Sequence, residues 1–189
     1  MLSPTPLERD VAAELTTMRG DPAGYARRLG ELAPRYQGAV LFAPGDTKPV
    51  MTVEGVSALR EATGDLYRKR ALPPLTRSAV LIAAAREFAQ EQGRLGAVGH
   101  RSAGGEDASA RVRRHGGDGG QVAETISYGS RTGTDVVRQL LVDDGVPSRA
   151  HRRLLLDQHY TRFGVGCAPH RAYRAVCVVL WAGSSFGPG

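Results

Sequence analysis

The stretch Val136-Val137-Arg138-Gln139-Leu140-Leu141-Val142, followed by Asp143-Asp144-Gly145-Val146-Pro147-Ser148-Arg149-Ala150-His151-Arg152, decides the reading of this chain. The first seven residues form an apolar run of helical character. Two acids, a Gly and a Pro end it, because Gly and Pro are poor helix formers and good turn formers. A polar turn with Asp, Ser, Arg and His beside an apolar helix can hold a site on a rigid support. Read alone, it serves equally as a solvated connector.

The neighbouring segments separate these readings. Upstream lie Gly99-His100-Arg101-Ser102 and Ala123-Glu124-Thr125-Ile126-Ser127-Tyr128-Gly129, and downstream lies Phe163-Gly164-Val165-Gly166. In this order they resemble the CAP superfamily, the cysteine-rich secretory, antigen 5 and pathogenesis-related proteins that share the SCP domain. Bacterial members of that family carry G-H, then E-N-I-x-x-G, then D-D-G-V-x-x-R-G-H-R, then V-G-V. The resemblance extends to Leu72-Pro73-Pro74-Leu75 and to Arg19-Gly20-Asp21-Pro22, and so covers most of the chain.

The resemblance implies an α+β fold, a three-layer α-β-α sandwich with a central cleft. It implies one structural domain, with a helical segment at 1–70 packing on a core at 71–189. In the family, two histidines and one or two acids converge in the cleft and can hold a divalent metal. The matching positions are His100, Glu124 and His151, a sensible set for Zn²⁺ or another divalent ion with water completing the shell. Ser102 and Arg149 are expected beside them as ligand-binding residues, and Asp143 and Asp144 behind them. For those two acids a turn-ordering ion pair with Arg149 and the orienting of a cleft histidine both stay open. Three positions depart from the family pattern: Thr125 replaces Asn, Ala150 replaces Gly, and Phe88 stands where a His is frequent.

Each candidate also has a plainer reading. His100 suits an exposed helix end. Glu124 interrupts apolar sequence and needs a partner to offset desolvation, which an arginine would supply. His151 could cap the next segment. His159 reads as a surface residue, and the role of His170 is open. Ser127 and Ser148 lack a Gly-x-Ser-x-Gly elbow. The glycine-rich run Gly116 to Gly120 lacks the Lys-Ser/Thr of a phosphate loop and reads as a connector.

The bulk numbers exclude little but point away from nucleic acid. The 189 residues carry 25 basic side chains, of which only Lys48 and Lys69 are lysines, and a net charge of +6. The arginines are scattered rather than striped, without aromatic interleaving. The densest cluster, Arg111, Arg113 and Arg114, reads as a solvated helix end. No apolar run is long enough to span a bilayer. The family is usually exported, although the start of the chain lacks the basic and apolar regions of a signal peptide. Cys167 and Cys177 fall on consecutive strand candidates, where a bridge is conceivable and two buried thiols are favoured.

Periodicity predicts helices over residues 7–18, from Pro22, from Val53 with Thr52 as cap, from Ser78 to about Leu95, and over Ser109 to Arg114. Residues 37–52 read as a loop, and 99–121 as a long polar segment of the kind that is functional or mobile. Phe163 to Ala168 and Ala175 to Ala182 read as strands covered on both faces, hence central in a sheet. The expected function is non-enzymatic binding, in the cleft, of a divalent metal, a small or lipid-like ligand, a cell-wall fragment or a partner peptide. The alternative is a metal-dependent, peptidase-like hydrolase using the same His/Glu set.

Overall fold

The computed structural model describes residues 3–44, 48–118 and 121–187. Met1, Leu2, part of the expected 37–52 loop and Gly119-Gly120 of the glycine-rich run lie outside the described residues.

Two long strands organise the molecule. β6 (Tyr160–His170) and β7 (Arg174–Gly183) pair antiparallel, and they occupy the middle of a four-stranded sheet. β5 (Val122–Tyr128) is one edge, antiparallel to β7, and the two-residue β4 (Thr76–Arg77) is the other, parallel to β6. The expectation that the two apolar strands are central is met. Val176 through Ala182 are essentially without solvent exposure, as strands covered on both faces require.

Helices cover both faces of this sheet, giving the expected α-β-α layering. On one side α4 (Ala79–Leu95) and α5 (Ala108–Arg114) bury Leu81, Ala84, Ala85, Phe88 and Val112 against Val176, Val178, Leu180 and Ala182. On the other, α1 (Pro6–Gly20), α2 (Pro22–Gly30), α3 (Val56–Tyr67), α6 (Gly133–Val142) and α7 (Ala150–Leu155) share one core with Phe163, Val165, Val179 and Trp181. The sequence signals mark several ends well. Thr5 and Glu8 form a reciprocal capping box on α1, Asp21 caps α2 ahead of Pro22, and Ser78 caps α4.

The Gly-Val-Gly of β6 is explained by α4. A Cβ on Gly164 would stand 2.2 Å from the backbone of Leu81, and one on Gly166 would stand 2.2 Å from the backbone of Arg86. The helix axis therefore lies directly on these two residues, closer than any side chain would permit.

Four expectations are corrected. Residues 37–52 are not only loop: β1 (Tyr36–Gln37), β2 (Val40–Leu41) and β3 (Val50–Met51) form a small antiparallel sheet. Each strand is two residues long, too short for an alternating pattern to register. Thr52 does not cap α3; its hydroxyl bonds the Ala39 carbonyl and ties down the small sheet, while Gly55 starts the helix. Cys167 and Cys177 are not free thiols but a disulfide, because the β6–β7 register places them directly opposite each other. Arg111 is no solvated helix end, since it is fully buried over the Phe88 ring.

Candidate functional site

α6 ends where the sequence stops it. Asp143 takes the left-handed conformation (φ 53°), and Gly145 (φ 74°) continues the turn. One carboxylate oxygen of Asp143 accepts the backbone N–H of His151 at 2.9 Å and that of Arg152 at 3.3 Å, satisfying the start of α7. The other oxygen stands 2.6 Å from Nδ1 of His151. A carboxylate only accepts, so Nδ1 carries a proton toward Asp143, and Nε2 is the ring nitrogen turned away from that carboxylate. Asp143 is buried while His151 keeps 26% side-chain exposure, so the pair has a sealed back and an open front.

That front faces a cleft of about 640 Å³. One wall is β5 and the turn after it, with Ile126, Tyr128, Gly129, Ser130 and Arg131. A second is α6, through Asp135, Arg138, Gln139 and Leu140. The small sheet supplies the third, through Tyr36, Leu41, Val50 and Met51. Burial lifts the Tyr36 and Tyr128 hydroxyls above their ordinary pKa, which keeps both neutral.

The turn before α7 is locked to the base of the small sheet from both sides. Asp144 accepts the N–H groups of Val53 (2.6 Å) and Glu54 (2.8 Å), and Glu54 in return accepts the N–H of Gly145 (2.8 Å). Arg149 grips Glu54 with two nitrogens and Glu61 with two, and also bonds the carbonyls of Asp143 and Val146. The Arg149 fork holds the Glu54 carboxyl down at about 2. Arg152 is buried and bonds Glu61, Asp65 and the carbonyls of Leu141 and Val142. Arg149 thus shapes the cleft from behind, with its charge directed to two glutamates rather than to the Asp143 carboxylate.

Among the described residues, three non-glycine residues have positive φ: Asp143, Arg149 and Arg174. Asp143 and Arg174 line the cleft, and Arg149 bonds two carbonyls of its rim. Each costs about 1–2 kcal/mol of backbone strain, and such strain collects where geometry serves function.

The remaining candidates lie elsewhere. His100 and Glu124 meet, with Nδ1 to Oε1 at 2.9 Å, and Arg111 bonds the second oxygen of Glu124. Arg111 also bonds the carbonyls of His100 and Glu106, so Glu124 anchors the 99–107 segment to the sheet. Neither His100 nor Glu124 lines the cleft that His151 faces. Ser102 is buried and closes a turn by accepting the N–H of Glu106. His159 is exposed, as expected. His170 is buried: Nε2 meets the Ala97 carbonyl, Nδ1 accepts the N–H groups of Ala172 and Tyr173, and the ring packs edge-on to Tyr128.

No group of three His, Cys, Asp or Glu among the described residues is placed to hold a metal ion. The oxygens of Glu124, Asp143 and Asp144 all have protein partners. The donor set His100, Glu124 and His151 is therefore not assembled in this arrangement. Sequence reasoning missed the small sheet, Arg131 and Arg174, which meet the motif residues only through tertiary folding.

The layering and the order of the motif segments define a CAP/SCP fold. The family model described as the cysteine-rich secretory protein family (CAP) matches residues 53–181, and the chain belongs to that family. Two solved structures are similar to it. An extracellular protein containing an SCP domain from Bacillus anthracis aligns with a TM-score of 0.50 and 19% identity, over 66% of this chain and 40% of that one. An outer surface protein from Borrelia burgdorferi aligns with a TM-score of 0.48 and 20% identity, over 58% of this chain and 77% of that one. This chain spans well under half of the Bacillus chain. No curated protein matches the sequence.

Proposed function

We propose that this CAP domain binds a small or lipid-like molecule, or a cell-envelope component, in the Asp143–His151 cleft, and does not turn it over. One observation carries the reading: a histidine fixed through Nδ1 by a buried aspartate beside a roomy cleft, which is lined by two of the three positive-φ non-glycine residues among those described, Asp143 and Arg174. Apolar Ile126, Leu41, Leu140 and Val146 share that cleft with the cations Arg131 and Arg174, which suits an amphipathic anion. Turnover by an activated hydroxyl would need one bonded to His151, and among the described residues none is. Ser127 donates to Gln139, and the Tyr128 hydroxyl is held between Gln92 and the N–H of Gly99. Export is part of the proposal, because a Cys167–Cys177 bridge persists in oxidising compartments.

Calorimetry with dodecanoate at about pH 7.5 tests this. One site is expected, weakened by His151→Ala and Arg131→Glu and unchanged in His100→Ala. Binding that ignores His151→Ala and Arg131→Glu removes the cleft from consideration. The alternative, a metal-dependent hydrolase, needs His100, Glu124 and His151 to leave their present partners and converge. A single Zn²⁺ site lost in each of His100→Ala, Glu124→Gln and His151→Ala would establish it.

A further inference from the structure

The cleft runs along an unfinished sheet edge. The β5–β7 register pairs Ser127 with Cys177 and Thr125 with Val179, and the N–H of Gly129 bonds the Ala175 carbonyl two residues further on. In an antiparallel ladder the bonded pairs alternate, so Thr125, Ser127 and Gly129 direct their backbone groups to β7. Ile126 and Tyr128 then turn their N–H and C=O groups outward, away from β7. Both residues line the cleft. The Tyr128 carbonyl accepts Nε2 of Gln139, in keeping with the outward direction. The N–H and C=O of Ile126 and the N–H of Tyr128 have no protein partner among the described residues, although Ile126 is only 8% exposed. Buried backbone polar groups are nearly always paired, so an outward donor-acceptor-donor row in a cleft asks for a matching row.

The charges beside this edge are unevenly matched. Asp135 bonds Thr132 and Arg138, Asp144 bonds two backbone N–H groups, and Asp143 holds His151. Arg131 and Arg174, at the C-terminal end of β5, line the cleft with no acidic partner among the described residues.

We propose that an extended peptide carrying a carboxylate docks in the cleft as an added strand on β5, its backbone bonding Ile126 and Tyr128 and its carboxylate meeting Arg131 and Arg174. The inference rests on the cleft being the binding site and names the class of occupant. Only an extended chain presents donors and acceptors with the two-residue period that the edge repeats, and exposed edges are the usual seats of strand addition. Val50 and Met51 of the small sheet line the same cleft and provide an apolar surface for side chains on one face of the added strand.

A displayed library of random octapeptides, panned on the full chain, tests it. Enriched peptides should carry Asp, Glu or a free C-terminal carboxylate, and amidated copies of each separate the last source from the first two. Single N-methylation along a synthetic binder should abolish binding at every second residue only. The amide resonances of Ile126 and Tyr128 should move most, and Arg131→Glu, an exposed change that leaves folding intact, should weaken binding about tenfold or more. No enriched peptide, an N-methyl scan without alternation, or full affinity in Arg131→Glu would overturn the proposal. Dodecanoate binding that survives such a failure would leave the cleft as the binding site and remove only the peptide. Loss of both would remove the cleft as well.

Discussion

Asp143 does three things with one side chain, and the residue scale is where they separate. It caps α7, orients His151 and sits in the left-handed region. Asp143→Ala removes both the cap and the carboxylate behind the ring, and should destabilise the fold by about 2 kcal/mol, read as a lower midpoint in chemical denaturation. His151→Ala leaves the cap intact and should cost far less while weakening dodecanoate. Equal losses of stability in the two variants would mean that Asp143 does not act on the backbone. Glu54 gives a pH signature. Arg149, then the Gly145 N–H, hold its carboxyl at about 2 against an ordinary 4.5. The folded state therefore binds this proton more weakly than the unfolded one. The contribution is complete above the ordinary carboxylate range and fades as pH falls from about 4.5 through about 2. Exchange of the Val53 and Gly145 amides should accelerate in that window, and Arg149→Ala should abolish the transition. An unchanged acid profile in Arg149→Ala would show that the clamp is not what anchors the small sheet.

At the scale of elements, the contact between α4 and β6 is the tightest constraint in the molecule. Gly164→Ala or Gly166→Ala forces the helix backbone away from the sheet, because the new methyl meets main chain and not a side chain that can rotate. Each should cost about 3 kcal/mol. A near-neutral Gly166→Ala would mean that the layers are looser than described. The Cys167–Cys177 bridge joins residues ten apart on paired strands, and loop-closure entropy puts its contribution at about 3 kcal/mol. Its replacement by two serines should lower the denaturation midpoint accordingly, with the strand pairing retained. Much of this scale was legible in the chain. Ser78, Asp21-Pro22 and Asp143-Asp144-Gly145 announce helix ends by local chemistry, and Ala175 to Ala182 announces a covered strand by composition. The bridge, the small sheet and the burial of Arg111 were not. Each depends on register or on a distant partner: Cys177 across from Cys167, Ala39 receiving Thr52, Phe88 and Glu124 around Arg111. Local sequence carries no record of those encounters.

For the molecule as a whole, the segments that resemble the CAP motifs fall into two groups when folded. Glu124, His100 and Arg111 secure the 99–107 segment on one face of the sheet, while Asp143, Asp144, Arg149 and His151 build the cleft beside α6. The resemblance suggested one gathering point for these residues, but their side chains pair locally instead. On the reading proposed above, the cleft of His151 is the binding site and the His100–Glu124 pair is a structural tie. An amide-shift titration of the labelled protein with dodecanoate at about pH 7.5 distinguishes the two sites. The perturbed resonances should be those of Ile126 to Thr132, Asp143 to Val146 and His151, with His100, Ser102 and Glu106 unmoved. Perturbations centred on His100 and Ser102, with Ile126 to Thr132 and His151 silent, would contradict it.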